Sequence, residues 1–192
     1  MTTPLHPGRL PALTKADLVD DAGRELWDKM TTGAQSLDDQ GRMLGIFNVW
    51  LYTPEAGSNL VATGRALLWN TVLDRRIAEL AICATCAFWQ WSYALKPHVP
   101  LARELGVPDA VLAALEAGKE PEFTDARDQV VYDVAMALAR SGTIDAELYS
   151  RAAACFGERE LVELVLMCNW YTMNAHTSNA LLSAPGNRPA AR

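Results

Sequence analysis

Positive charge and long apolar runs are scarce in this 192-residue sequence, and each shortage excludes a class of protein. Its 17 Lys and Arg residues are outnumbered by 23 Asp and Glu residues, which gives a formal net charge of −6. Because the chain has no Lys/Arg stripe to neutralise phosphates, we expect no nucleic-acid partner. The longest uncharged run, residues 80–95, is shorter than the roughly 20 residues that cross a bilayer, so we also expect no membrane span.

Cysteine is scarce as well. Four cysteines do not make the disulfide framework of a secreted protein in a chain of this size. The opening residues, MTTPLHPGRLPALTK, lack the apolar core of a secretory signal peptide. Reduced thiols are the simplest interpretation of both features, and we therefore expect a cytoplasmic protein.

Helical patterning is what the sequence does have. Half of the residues are hydrophobic and 21% are charged, which is typical of a folded domain with a sizeable core. No run has the two-residue period of a strand, so we predict an all-α fold with one domain. We predict a proline-rich arm over residues 1–12, the helical domain over residues 13–183 and a flexible tail over residues 184–192.

Turn and capping residues predict the helix boundaries. Pro54 and Gly57 interrupt the chain before one helix, Thr124 is a candidate N-cap, and Gly118 and Gly157 end helices. A polar, glycine-containing loop is predicted over residues 33–44. The predicted helices cover residues 17–30, about 58–73, 109–117, the stretch after Thr124 past residue 138, 144–156, and a last long helix with its buried stripe at 161, 164, 165, 168 and 171 that runs to about residue 182.

One segment, residues 75–106, concentrates the groups that can do chemistry. After Glu79 it carries no charged side chain until Lys96, and His98 follows soon after. A segment this apolar is expected to be buried, and a carboxylate and an imidazole at its two ends are then candidates for acid–base chemistry. An unbroken helix would hold the two residues about 28 Å apart. They can cooperate only if the chain turns back between them or if they meet across a subunit contact.

The place for that turn is Gln90 to Ser92, with Ser92 as a candidate N-cap of the second helix. Structural roles for the two end residues stay open beside the catalytic ones. Glu79 can pair with Arg75 or Arg76 near the helix end. His98 can bond to a backbone carbonyl that is freed by the preceding proline.

Other side chains are candidates for shaping a pocket around His98. Trp91 and Tyr93 lie in an aromatic cluster just before it, where they either belong to the core or line the site. Tyr93 can also act as an acid or a hydrogen-bond donor. Asn48 and His176 are polar residues among apolar neighbours, and we regard both as candidate substrate-binding residues, with a hydrogen-bonded core histidine as the alternative for His176.

Short motifs along nearly the whole chain share an order and spacing with a known family. The motifs are RLPALT at 9–14, FNVWLYTPE at 47–55, RIAELAI at 76–82, HVPLA at 98–102 with the glycine at 106, VYD at 131–133, FGE at 156–158, ELVELV at 160–165, and YT to N at 171–179. Together they resemble the carboxymuconolactone decarboxylase-like family of the alkylhydroperoxidase D-like superfamily. The resemblance implies an alkylhydroperoxidase D-like helical bundle that assembles as a homotrimer or homohexamer, with its site near subunit contacts.

The resemblance implies two different chemistries. The peroxidase branch has a Cys-x-x-Cys ending four residues before the histidine, with the upstream glutamate and the histidine in a proton relay. The decarboxylase branch lacks this redox pair, uses no cofactor, and often has a glutamate four residues before the histidine. The present chain has Trp91 and Ala94 at these positions and departs from both patterns.

A Cys-x-x-Cys does occur elsewhere, at Cys83 and Cys86. It lies eight residues too early, which on a helix is roughly 12 Å of rise and about 80° of rotation. Thiols inside an apolar helix have a raised pKa and are inert, so we predict small core residues here. We interpret Cys155 and Cys168 in the same way.

The sequence therefore favours a cofactor-independent lyase or isomerase without a metal, acting on a small organic acid or lactone by decarboxylation or related proton transfer. His98 is the candidate general base or acid, Glu79 its orienting partner, and Tyr93 a donor to developing negative charge. The alternatives are an alkylhydroperoxidase-like thiol peroxidase that uses Cys83 and Cys86, and a non-catalytic family member.

Overall fold

The computed structural model describes residues 9–32 and 36–182. The predicted tail over 184–192 and the first eight residues of the predicted arm lie outside these ranges. Within the described residues the regular structure is helical, apart from an isolated antiparallel bridge between Leu37 and Met43. The all-α prediction is confirmed.

Nine α-helices follow one another through the described residues, after a short 3-10 helix at Lys15–Asp17. They are α1 (Asp21–Thr31), α2 (Gly45–Leu51), α3 (Pro54–Trp69), α4 (Arg75–Phe88), α5 (Ser92–Glu104), α6 (Asp109–Glu116), α7 (Ala126–Ser141), α8 (Ala146–Cys155) and α9 (Glu158–Leu181). Within these described ranges, no helix is long and apolar enough to span a bilayer. The chain divides into two compact units, one containing residues up to 65 and from 176 onward, the other residues 66–175.

In the first unit, hydrogen bonds join residues 11–13 to α2 and the residue that follows it. Asn48 is buried, its amide nitrogen donates to the carbonyl of Pro11 at 2.9 Å, and its side-chain oxygen accepts from the backbone N–H of Leu13 at 2.9 Å. The Tyr52 hydroxyl donates to the same Pro11 carbonyl at 2.8 Å. Both polar groups of Asn48 are therefore engaged with the backbone of residues 11–13.

The second unit is built around α4, which packs against α5, α6 and α7. All positions of α4 from Ile77 to Cys86 are buried, which confirms the expected burial for the first half of the apolar segment. In its second half Gln90, Ser92 and Tyr93 are exposed, so the expectation is wrong there. Arg76 joins α4 to α7, because its guanidinium donates through Nη1 to the buried Asp128 carboxylate at 2.7 Å and through Nη2 to the second oxygen. A two-pronged pair of this kind fixes both the spacing and the orientation of the two helices.

Several predicted helix starts are wrong by one to four residues. Helix α3 begins at Pro54 rather than near Ser58, because proline at the first helical position loses no hydrogen bond and has a helical φ. Helix α7 is capped by Asp125 rather than Thr124, and α8 by Asp145, with each carboxylate accepting from N–H groups of the first turn.

Two further boundaries differ for the same kind of reason. The first predicted helix begins at Asp21 instead of residue 17, since the Asp20 carboxylate caps it by accepting from Gly23 N–H at 2.7 Å. Helix α3 ends at Trp69 instead of residue 73, and the next residues form a loop bound to α9. The predicted stop at Gly118 is confirmed by its left-handed φ of 65°.

Candidate active site

A tight turn between α4 and α5 brings the two ends of the apolar segment together. Helix α4 ends at Phe88, Gln90 has a left-handed φ of 52°, and α5 begins at Ser92. The backbone N–H of Trp91 closes the turn by donating to the carbonyl of Cys86 at 2.9 Å. The predicted reversal is confirmed, but Ser92 is the first residue of α5 and Trp91 takes the N-cap position, without a capping side chain.

Glu79 and His98 meet across this hairpin. Glu79 Oε2 lies 2.6 Å from His98 Nδ1, and the Glu79 side chain is fully buried while that of His98 is 18% exposed. A carboxylate only accepts hydrogen bonds, so Nδ1 carries the proton in this contact. In the neutral form of the imidazole the lone pair then lies on Nε2, which is the arrangement of an oriented general base.

The Nε2 atom faces a tyrosine that the sequence pattern assigns only to the buried stripe of the last helix. The Tyr171 hydroxyl, on α9, lies 3.1 Å from His98 Nε2, and the two rings meet edge to face at 5.3 Å between centroids. Tyr171 is 6% exposed, and burial raises the pKa of its hydroxyl well above the ordinary value. With both ring nitrogens bonded to side chains, the alternative in which His98 caps a freed carbonyl is wrong.

The second oxygen of Glu79 faces Arg75. Arg75 Nη2 lies 2.7 Å from Glu79 Oε1, in a charge pair that lacks the alignment of a hydrogen bond. The same guanidinium donates to the Leu68 carbonyl at 2.8 Å and lies over the Trp69 ring at 4.5 Å from its centroid. The structural pairing expected for Glu79 is thus present at one carboxylate oxygen, and the contact with His98 at the other.

Two aromatic candidates extend the cluster. Trp91 is 6% exposed and its ring lies 6.2 Å from that of Tyr171 and 6.4 Å from that of Tyr93. Tyr93 is 37% exposed, yet partial burial raises the pKa of its hydroxyl to about 12, which keeps it protonated as a donor at neutral pH. The structure therefore groups Glu79, His98, Tyr171 and Trp91, with Tyr93 attached through Trp91.

Asn48 and His176 belong to the other compact unit. Asn48 holds residues 11–13, as described above. His176 is exposed on α9, so the interpretation as a core histidine is wrong. A role in substrate binding stays a prediction for both residues.

The cysteines behave as core thiols. Cys83, Cys86 and Cys168 are buried, and burial raises the pKa of Cys83 and of Cys168 to about 12 and that of Cys86 well above its ordinary value. Cys155 is only partly buried, which corrects its assignment to the core. The positions where the resemblance would put a redox pair hold the buried side chains of Trp91 and Ala94. In the part of the chain that the structure describes, no group of three or more His, Cys, Asp or Glu side chains is placed to hold a metal ion.

Comparison with known proteins finds likeness in structure alone. Neither a protein-family model nor a curated protein matches the sequence. An alkylhydroperoxidase AhpD core protein from Ralstonia eutropha JMP134, described as an uncharacterized peroxidase-related protein, superposes with a TM-score of 0.69 at 15% identity, over 93% of each chain. An uncharacterized peroxidase-related protein from Silicibacter sp. TM1040 gives 0.71 at 17% identity, over 97% of this chain and 96% of the other.

A protein of unknown function from Agrobacterium tumefaciens gives a TM-score of 0.59 at 15% identity, over 75% of this chain and 97% of that one. Identities this low relate architectures rather than activities. The chain therefore has the helical fold of the alkylhydroperoxidase D-like superfamily.

Proposed function

We propose that this protein is a cofactor-independent lyase or isomerase that moves protons to and from carbon in a small organic acid or lactone. The observation that carries the proposal is the 2.6 Å contact between the buried Glu79 carboxylate and His98 Nδ1. It sets the tautomer of the imidazole and orients the Nε2 lone pair as the base. The choice of substrate class rests on the resemblance to carboxymuconolactone decarboxylase-like proteins.

The charges around Glu79 suit this chemistry. When His98 takes a proton from substrate carbon, the electron pair stays on the substrate and the imidazolium lies against the Glu79 carboxylate. Arg75 compensates the negative charge of that carboxylate while His98 is neutral. In an isomerisation the double bond then migrates and His98 returns the proton to a different carbon. In a decarboxylation no carbon-bound proton is removed: the C–C bond breaks, CO₂ leaves, its bonding electron pair stays on the substrate, and the protonated His98 donates a proton to that carbon. Tyr93 supplies a protonated donor for developing negative charge on oxygen, and Trp91 lines the site.

Thiol peroxidase chemistry is the alternative, and the surroundings of the cysteines count against it. Attack on a peroxide requires a thiolate, and burial holds Cys83 and Cys86 in their protonated forms. The peroxidase-related names of the structural neighbours belong to those proteins. We keep this chemistry as one outcome of the experiments below.

The proposal includes assembly as a homotrimer or homohexamer in the cytoplasm. It is supported by the resemblance and by large apolar side chains that α9 leaves exposed, namely Val162, Leu166 and Met173. Light scattering at micromolar concentration tests it, and a stable monomer would contradict the assembly.

The proposed activity is tested by ¹H NMR in D₂O with a panel of small carboxylates and unsaturated lactones that includes 4-carboxymuconolactone. We expect loss of CO₂ or enzyme-dependent exchange of deuterium at carbon for at least one compound. His98→Gln should slow the reaction by about 10²–10⁴-fold, whereas His6→Gln, the control at a histidine outside the proposed site, should keep the wild-type rate. A reaction that keeps its wild-type rate in His98→Gln, or a hydroperoxide reduction that depends on Cys83 and Cys86, would reject the proposal.

A further inference from the structure

Both ring nitrogens of His98 are bonded to other side chains of the protein, so neither is available to a substrate in this arrangement. Nδ1 is held by Glu79 at 2.6 Å and Nε2 by the Tyr171 hydroxyl at 3.1 Å. A base in this state is oriented but occupied. Any ligand that exchanges a proton with Nε2 has to take the place of the tyrosine hydroxyl.

We infer that Tyr171 caps the basic nitrogen of His98 and yields it to a ligand that presents a hydrogen-bond donor beside an acceptor oxygen. The inference rests on the proposed function only in treating His98 as the base. Its tests below need no turnover, so the two can fail separately.

The direction of the hydrogen bond supports the capping role. With the proton of the imidazole on Nδ1, Nε2 can only accept, and the Tyr171 hydroxyl is the donor. Burial of Tyr171, which disfavours the phenolate, keeps that hydroxyl protonated and able to donate. The hydroxyl therefore blocks the lone pair that the chemistry needs.

The two contacts of the imidazole differ in strength, and this decides which one a ligand replaces. The contact with Glu79 is short and charge-assisted, whereas the O–H to Nε2 contact is 0.5 Å longer and joins two neutral groups. A ligand that enters therefore displaces Tyr171 and leaves the Glu79 contact in place. The ring of Tyr171 is packed against His98 on one side and Trp91 on another, so its hydroxyl stays near the opened position.

Once the contact between His98 Nε2 and the Tyr171 hydroxyl opens, these two groups define the chemistry of a ligand that fits between them. Nε2 then needs a donor or an acidic C–H, and the Tyr171 hydroxyl needs an acceptor. An organic acid or lactone with an acidic C–H next to a carbonyl oxygen provides both. As the C–H proton moves to Nε2, its electron pair shifts onto that oxygen, where the Tyr171 O–H donates to the developing negative charge and keeps its own proton.

The cap is tested by the rate at which diethyl pyrocarbonate modifies each histidine, followed by mass spectrometry of peptides. The chain has three histidines, so His6 and the exposed His176 are internal references. Removing the hydroxyl with Tyr171→Phe should speed modification of His98 by about two- to tenfold, the range that one hydrogen bond supports, with no change at the references. Tyr132→Phe is the matched control, since Tyr132 on α7 is equally buried, and it should leave His98 unchanged.

An unchanged rate at His98 in a folded Tyr171→Phe protein would overturn the cap. Should that variant fail to fold, ¹⁵N NMR of the wild-type imidazole provides the decision. A protonated Nδ1 with an unprotonated, hydrogen-bonded Nε2 is expected, and the opposite tautomer would overturn the inference.

The donor–acceptor requirement is tested with 2-pyrrolidinone, a five-membered lactam whose N–H lies beside a carbonyl, against N-methyl-2-pyrrolidinone, which lacks the donor. The first should slow modification of wild-type His98 more than the second. Equal protection by both, or protection by neither, would overturn the requirement for a donor beside an acceptor oxygen.

Discussion

Two carboxylates in the unit formed by residues 66–175 are held by several partners each, and the partners differ in kind. Glu163 on α9 accepts from the backbone N–H groups of Val72 and Leu73 at 2.8 and 3.0 Å, from the Thr71 hydroxyl, and from Arg159 at 3.0 Å. Glu79 on α4 is held by Arg75 and by the imidazole of His98.

The difference separates a structural carboxylate from a candidate catalytic one. The groups around Glu163 are peptide N–H groups, a hydroxyl and a guanidinium, which do not change their protonation near neutral pH. They bind the loop after α3 to α9. Glu79 instead touches an imidazole, the side chain whose ordinary pKa lies closest to neutrality, and through it a phenol. Glu79 therefore contacts a side chain that can exchange a proton near neutral pH, whereas Glu163 does not.

The largest effect that this comparison predicts is on turnover in His98→Gln. General acid–base groups contribute about 10²–10⁴-fold, and we expect a loss of that order in the reaction found by the NMR screen. The protein should remain folded and assembled, as measured by circular dichroism and light scattering. A folded His98→Gln protein with full activity would remove the distinction between the two carboxylates.

Glu79→Gln should lower turnover by about 10²-fold, since an amide cannot stabilise the imidazolium as a carboxylate does. If Glu79 and His98 act as one unit, the double variant should lose much less than the product of the two single losses. Steady-state rates of the four proteins measure this. Multiplicative losses would show that the two residues act independently in spite of their contact.

The sequence predicts the hairpin and its end residues, and it misses the third member of the cluster. The hairpin can be predicted because its parts lie close together in the sequence. Only short stretches of chain separate Glu79 from the turn near Gln90 and that turn from His98. Tyr171 lies 73 positions from His98, and helical spacing reports only that it faces the core. The clue was present, because a buried tyrosine hydroxyl needs a partner, but the sequence does not say which one.

Other misses have physical causes of the same sort. The sequence pattern places an interruption at Pro54, although the fixed φ of proline, which breaks a helix interior, also suits the first position of a helix. The sequence marks Asn48 as a polar residue among apolar neighbours, but it does not show that the carbonyl and N–H groups bonded to Asn48 belong to a distant segment of backbone. A local sequence pattern can indicate that a polar side chain is buried, but it does not identify the group to which that side chain is hydrogen-bonded.

In contrast to His98→Gln and Glu79→Gln, the variant Glu163→Gln should lower the stability of the protein and leave the rate per folded molecule unchanged. Although burial alone would raise the pKa of Glu163, hydrogen bonds from Thr71, Arg159 and the backbone of residues 72–73 hold it at about 2. A lowered pKa in the folded state contributes stability that is fully present above the unfolded value near 4.5 and is lost as the pH falls toward 2.

Loss of this contribution is about 3 kcal/mol at most at neutral pH. Urea unfolding between pH 7 and 2 should show a weaker fall in unfolding free energy for Glu163→Gln than for the wild type. Glu158→Gln, at an exposed position of α9, is the control and should follow the wild-type curve. Parallel curves of unfolding free energy against pH for all three proteins would show that Glu163 does not stabilise the folded state.

The smallest effect on rate is expected from replacing Cys83 and Cys86 together by alanine. Both thiols lie on α4 close to Glu79 in sequence, so they test whether proximity to the site alone matters. Because burial keeps them protonated, neither supplies a nucleophile, and turnover should stay within a few-fold of the wild type. Each truncation leaves a small cavity in a packed helix and should cost about 1 kcal/mol of unfolding free energy. Rapid formation of a Cys83–Cys86 disulfide on treatment with peroxide, coupled to continued peroxide consumption, would instead place the chemistry on α4 itself and make the Glu79–His98 pair its proton relay.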